Sequence, residues 1–348
     1  PTSSLIGIRP NLTDRADPDI SSIGIQSDVK WIEGAIDHLL DLGIQSSDIY
    51  IREPNSERLF KNSLFDEMAA RKGINIKETP YKINNMVEGT DYTIVDTPDG
   101  GYFNRLAYLF PYNRSNSVII NMAKLKSHKS MGFTGCAKNL QGTIARGYCR
   151  HCTPVGLGLD ISAGDINTGG YDYVMNNYVS RAENNFPRYN IKQYASLEEA
   201  SGDWKGPVRV ESWATRCIDN MKTLQNVGIH ILEGIYSREG AIVAEQPSDY
   251  REPLTNIVLF GKNAFNIDVV ATYLAGHEPG NFPVYHMAYE NKMSALNPFD
   301  ITLGQWELSG SITPIDLADL ERFELRTGYL TQNGEADWHL VNEAFDYG

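Results

Sequence analysis

The chain reads as an α/β protein, built on a doubly wound, mostly parallel sheet in two lobes with an inserted lid-like segment. Three observations predict it. In the first third of the chain, short apolar runs alternate with amphipathic helical patterns, the rhythm of strand–helix–strand units. Residues 117–122, SVIINM, are apolar enough to be buried on both faces, as strands of a parallel sheet are. Between residues 147 and 206, Gly, Asn and Tyr become frequent and apolar periodicity fades. That change marks either an insertion lying over the site or a plain surface excursion.

The elements follow in order. Residues 5–8 are strand-like and stop at Arg9-Pro10-Asn11, since Pro ends a ladder. Ser27 is placed to cap a helix over 28–42, with Val29, Ile32, Ile36, Leu39 and Leu40 on one face and Gly43 as its C-cap. A short strand at 49–51 runs into Glu53. A helix over 62–72 closes at Gly73 and is followed by a strand at 74–76. The strand at 117–122 feeds a basic loop, KLKSHK, at the carboxyl end, where open α/β sheets place their ligands. A helix over 213–225 precedes a strand at 227–232, which leads into EGIYSREG. A strand at 256–260 precedes a helix over 266–275, and residues beyond 311 form a wrapping tail. The expected division is an N-terminal lobe 1–146, an insertion or lid 147–210, a C-terminal lobe 211–310 and a tail 311–348.

Composition narrows the function. The 348 residues are 41% hydrophobic and 22% charged, ordinary for a globular chain, and the net charge of -13 argues against nucleic acid as partner. No apolar run reaches the ~18 residues of a membrane span. The opening PTSSLIGIRPNL has neither the basic nor the apolar region of a signal peptide. A soluble cytoplasmic protein is the reading kept, with an exported form lacking its leader and a homo-oligomer both left open.

The chemistry concentrates in residues 121–142. Lys124, Lys126 and Lys129 surround His128, and clustered cations are costly unless an anion offsets them. A solvated loop also holds them cheaply. Gly132, Gly135 and Gly142 let a ligand approach the backbone, while Thr134 and Asn139 offer neutral hydrogen bonds. Lys138 follows, and a lysine beside other cations suits a nucleophile or covalent anchor. Neither a phosphate-loop nor a dinucleotide fingerprint is present. Arg9, Asn11, Glu53, Glu233 and Glu239 converge on the same edge if the sheet is parallel. The two last carboxylates could share acid–base work or hold a cation, or simply lie in a solvated turn. Asp268 is an acid, a cap-like structural group or a ligand. His230 reads as a core histidine and His38 as a surface one, while His277 and His286 lie near the helix that carries Asp268. Four cysteines are too few for a disulfide scaffold; Cys149 and Cys152, in CRHC, suit a redox pair, half a metal site, or two thiols in a loop.

These blocks resemble the family known as domain of unknown function 362, over most of the chain. IGIRPN (6–11) is similar to its opening "IKPN". INMAKLKSH (120–128) with TGCAKNLQG (134–142) is similar to its central "INvpKlKtH…TgalKNl.G". EGIYSREG (233–240) and FGKNAFNIDVVATYLAGHEP (260–279) match its later elements, with Asp268 on the family's aspartate. Glu233 stands where Asp is usual, and the ferredoxin-like cysteine clusters of many relatives are missing. More distantly, SHKSMGFTGCAKNLQG is similar to a block of the nickel-pincer lactate racemases. There, a lysine ten residues after a histidine carries the cofactor, and a second histidine helps to hold the metal. The resemblance implies those roles for Lys138, His128 and, at a shifted spacing, His151; Cys136 replaces a glycine of that block.

The leading expectation is an enzyme of unassigned reaction that binds a small anionic substrate or cofactor at residues 124–139, with metal assistance left open. In it, His128, Lys138, Glu239 and Asp268 are the catalytic candidates. Asn11, Lys124, Lys126, Thr134, Gly135 and Asn139 hold the ligand. The alternatives are a metal or iron–sulfur protein using Cys136, Cys149, His151 and Cys152, with Cys217 as a further ligand, and a non-catalytic subunit. The cofactor, if any, is not named by the sequence.

Overall fold

In a sheet whose strands point the same way, charged residues at successive strand ends meet at one edge, so strand order decides what the site contains. A computed structural model describes residues 4–12, 23–53, 60, 63–79, 85–128, 131–145, 199, 207–239, 251–327 and 345–347. The elements are β1 (Leu5–Pro10), α1 (Val29–Asp41), β2 (Ile49–Arg52), α2 (Phe65–Lys72) and β3 (Asn75–Lys77). A hairpin of β4 (Tyr92–Asp96) and β5 (Arg105–Leu109) follows, then β6 (Ser117–His128), β7 (Gly132–Thr134) and the short α3 (Cys136–Asn139). After these come α4 (Pro207–Thr223), β8 (Val227–Arg238), β9 (Leu254–Gly261), α5 (Ala264–Leu274) and α6 (Pro283–Glu290), and last the hairpin of β10 (Leu303–Trp306) and β11 (Ile312–Ile315).

Among the described residues seven strands form the central sheet, in the order β3-β2-β1-β6-β8-β9, with β7 added to β6. The pairings β3/β2, β2/β1, β1/β6 and β6/β8 are parallel, and β8/β9 is antiparallel. The molecule is the mixed, mostly parallel α/β fold that the sequence predicts. Lys126 pairs with Arg238 of β8 on one side and Thr134 of β7 on the other, so β7 occupies the edge of β6 that β1 leaves after Met122.

Strand alternation sorts the core. Ile120 and Met122 of β6 pack with Ile8 and with Ile32 and Ile36 of α1. Ala123 and Leu125 pack with Trp213, Phe265 and Leu232, and Ile119 packs with Tyr108 and Leu140. The helical spacing in α1 is as expected, but its cap is Asp28, whose carboxylate accepts from the backbone N–H of Lys30 (2.7 Å) and Trp31 (3.4 Å). Ser27 instead staples strands. Its hydroxyl accepts from the Asn11 N–H (2.9 Å) and donates to the Met122 carbonyl (3.0 Å). Beyond β11 the N–H groups of Phe323 and Leu325 donate to the carbonyls of Leu274 and Ala275. Among the described residues no helix is long and apolar enough to cross a membrane.

The largest difference from expectation is β6. The basic stretch after Met122 continues the strand to His128. Lys124 and Lys126 pair with Glu233 and Arg238 of β8 across a register shift, and the opposing Glu233 offsets the charge of Lys124. A sheet continuous from β3 through β6 to β9 thus joins residues of both expected lobes.

Candidate functional site

Four parallel strands deliver their carboxyl ends to one edge. β1 brings Arg9 and Asn11, β2 brings Glu53, β6 brings Lys124, Lys126 and His128, and β8 brings Glu233 and Arg238; all are buried. Two ion pairs form among them. Arg9 pairs with Glu53, and Lys124 pairs with Glu233 at 2.5 Å. Burial pushes the Glu53 carboxyl up to about 7 despite Arg9, and lowers Lys124 against the pull of Glu233.

Lys126 is the centre of the cationic group. Its ammonium donates to the Ile25 carbonyl at 2.6 Å. Burial, then Lys138, Lys124 and Arg238, push its pKa well down, with Glu53 acting in the opposite sense. Register places three polar side chains in a row across β7, β6 and β8: Thr134, Lys126 and Arg238. Directly paired residues project from the same face, with Cβ atoms about 5 Å apart. Thr134 is 1% exposed and its hydroxyl has no hydrogen-bond partner. Arg238 lies 3.8 Å from Glu252. The segment 23–28 crosses these strand ends, and Gly24 runs so close that a Cβ there would sit 2.7 Å from the Ser237 carbonyl oxygen.

Behind this row stands a network of amides. Asn11 Nδ2 donates to Asn139 Oδ1 (2.8 Å), and Asn139 Nδ2 donates to Asn121 Oδ1 (2.8 Å) and to the Arg9 carbonyl (3.2 Å). Asn121 Nδ2 spends its two hydrogens on the Cys136 carbonyl (2.9 Å) and His230 Nδ1 (3.0 Å), which makes that ring nitrogen the acceptor. His230 is accordingly a satisfied core histidine, its pKa pushed down to about 4 by burial and then Lys262.

Asp268 holds α3 in place. Its carboxylate accepts from the backbone N–H of Cys136 (2.6 Å) and Ala137 (2.9 Å), the donors a helix N-terminus leaves free. Gly135 makes the approach feasible, because a Cβ there would lie 2.2 Å from Asp268 Oδ1. Burial pushes the carboxyl up to about 7, and the two N–H bonds pull the other way. Gly142 plays a similar part for Arg9, whose guanidinium lies within 2.1 Å of where its Cβ would be.

His128 and Lys138, the pair that the sequence marked, meet at Trp213 of α4. The His128 ring is edge-on to the indole at 5.8 Å, and the Lys138 ammonium lies 5.3 Å from its centre. The Arg216 guanidinium packs against the same indole at 4.9 Å. The electron-rich ring face attracts both cationic groups and stabilises their charge.

Other candidates fall elsewhere. Glu239 pairs with Arg251 and accepts the Arg326 N–H at 3.0 Å, which ties it to the tail. His277 and His286 hydrogen-bond the carbonyls of Leu325 and Gly280, and His38 is exposed on α1. Of the sulfur-based set, Cys149, His151 and Cys152 lie outside the described residues, as does Lys129. Cys136 and Cys217 are buried. Burial and the Asp268 carboxylate push the Cys136 thiol well up, away from the thiolate that binds metals. Among the described residues no cluster of His, Cys, Asp or Glu is arranged to hold a metal ion. The sequence did not single out Arg238, Asn121, Trp213 or Arg216. Asn121 carried a signal, a lone amide inside an apolar strand, whereas Arg238 is recognisable only from its register with Lys126.

A family model described as a domain of unknown function (DUF362) matches residues 6–273. No curated protein and no solved structure matches the chain.

Proposed function

This chain belongs to the domain of unknown function 362 family, and from that premise we propose that it is an enzyme acting on a small anion bound at the Thr134–Lys126–Arg238 row. The row itself carries the reading. Buried cations side by side on one sheet face repel one another, and an anion that accepts from both, and from the partnerless Thr134 hydroxyl, converts that repulsion into binding. Lys138 adds positive charge from α3, and His128 lies at the same strand end as the candidate acid–base. The amide network and Asp268 keep α3 fixed relative to β6, so the donors are set before a ligand arrives.

Isothermal calorimetry with inorganic phosphate, oxalate and pyruvate tests the reading. At least one should bind, and Arg238→Met should weaken it by roughly tenfold to a hundredfold, the range for loss of one charge-assisted hydrogen bond. Binding that survives both Arg238→Met and Lys126→Met with folded protein would place the anion elsewhere and end the proposal.

A further inference from the structure

We infer that the chain forms a twofold dimer with a second copy of itself, through an apolar row that runs from β8 across β9 onto the β10–β11 hairpin. This surface does not depend on the anion-site reading above.

A mostly parallel sheet needs cover on both faces. On one face, Trp213 of α4, Phe265 of α5 and Tyr285 of α6 pack in a core with Ala123, Leu125 and Leu232. On the other, α1 and α2 pack over Ile8, Ile120 and Met122. Register carries that second face on from Met122 to Ile231 of β8 and then to Phe260 of β9, each directly opposite the last. Among the described residues the cover of α1 and α2 stops short of these two, and Phe260 is 46% exposed.

The hairpin extends the row. The Trp306 ring meets Phe260 edge-on at 6.0 Å, and Trp306 is the register partner of Ile312. Trp306 is 57% exposed and Ile312 62%, while Leu308 at the turn is fully exposed. Gly304 leaves the space across which Ile312 lies, since a Cβ there would sit 2.4 Å from Ile312 Cγ2. The hairpin is also held rigid. Leu303 at its root packs with Val270, Leu274 and Leu317. Its turn is closed by the Glu307 N–H donating to the Ser311 carbonyl at 2.9 Å, with Gly310 at φ 83°. A two-stranded hairpin wetted on both faces is marginal in water, so cover on its apolar face stabilises it. Being set before contact, it loses little freedom on docking.

Area and charge select the occupant. The exposed parts of Phe260, Trp306, Leu308 and Ile312 come to on the order of 500 Å², the top of the range for a patch on a monomer. Two such patches set face to face bury about 1,000 Å², the size a specific interface should reach. A twofold axis sets the same surface against itself, so a charged row would repel its copy. These four side chains carry no charge, and Lys262, two residues past Phe260, turns its ammonium onto the Gly228 carbonyl. A chain of net charge -13 is poorly matched to the anionic surface of a membrane.

Sedimentation velocity of the full chain over about 1–100 µM tests the dimer. The parent should sediment as a dimer at the upper end of that range and dissociate on dilution. Trp306→Ser should weaken association about thirtyfold or more, as loss of a central aromatic anchor does. Leu42→Ser, at a comparably exposed leucine beside α1, should leave association unchanged. Should the Trp306 variant fail to fold, hydrogen exchange of the parent decides: peptides over 254–262 and 303–313 should gain protection as concentration rises. A parent that stays monomeric throughout overturns the dimer. A dimer indifferent to Trp306→Ser, or protection gained only outside those peptides, overturns the assigned face. A monomer that sediments with phosphatidylcholine–phosphatidylserine vesicles would give the row to a membrane surface and also end the proposal.

Discussion

Glu53 and Asp268 are buried carboxyls pushed up to about 7, one facing a guanidinium and the other two backbone N–H groups. His230 and His286 are pushed by burial in the other direction, to about 4. These shifts bear on stability with opposite signs. Between its unfolded value of 4.5 and about 7, Glu53 binds more protons in the folded chain than in the unfolded one, so its contribution to stability falls as pH rises through that window. The histidines bind fewer protons folded than unfolded between about 4 and 6.5, so their contribution is present above 6.5 and lost as pH falls. The two trends largely offset each other, and the parent chain should show a shallow pH dependence of stability from 4.5 to 6.5. Glu53→Gln removes one of the two carboxyls on one side of the balance. Its stability measured by urea denaturation, relative to the parent, should climb across that window at a slope of up to about 1.4 kcal/mol per pH step of one. A difference that stays flat would mean that Glu53 is ionised throughout.

At the level of elements, β6 shows how far sequence reading reaches. Its first half was legible because an apolar run that ignores strand alternation marks a strand covered on both faces. Its second half was not, since KLKSH reads as a solvated loop until Glu233 and Arg238 of β8 are known to lie beside it. Those partners are more than a hundred residues away, and periodicity within one segment carries no information about them. The convergence of Arg9, Asn11, Glu53, Lys124 and Glu233 was legible, because a parallel sheet dictates it once strands are recognised. The register that puts Thr134 beside Lys126 was hidden, as it depends on how tightly the β6–β7 turn closes. Gly132 closes that turn with φ 76°, and a Cβ there would lie 2.2 Å from Phe282 Cε1. Gly132→Ala therefore combines backbone strain with overpacking and should cost about 2–4 kcal/mol by chemical denaturation. Because it displaces β7, it should also weaken anion binding at Thr134. A variant of parental stability would show that Phe282 gives way easily and that the turn is not the constraint.

Across the whole molecule, the expected lobes share more than a boundary. β6, from the first, pairs with β8, from the second, over residues 119–126, and β1 pairs with the other edge of β6. The cores are shared as well: Ala123 and Leu125 pack with Trp213 and Phe265, and Tyr108 and Ile119 pack in one cluster with Leu224. Asp219 of α4 accepts three backbone N–H groups, from Gly101, Tyr102 and Phe103, at 2.7–2.9 Å. Detaching β8 and α4 would leave those donors, the apolar underside of β6 and the Lys124 ammonium without partners, a loss exceeding the ~5–15 kcal/mol that holds most domains folded. The N-terminal strands are therefore expected to unfold together with the C-terminal ones. Hydrogen exchange followed by mass spectrometry in rising urea should show peptides of β1 and β8 losing protection at the same midpoint, as one cooperative unit. Loss of protection in β1 while β8 stays closed would show instead that the sheet parts between β1 and β6, and that the site is assembled from two separable halves.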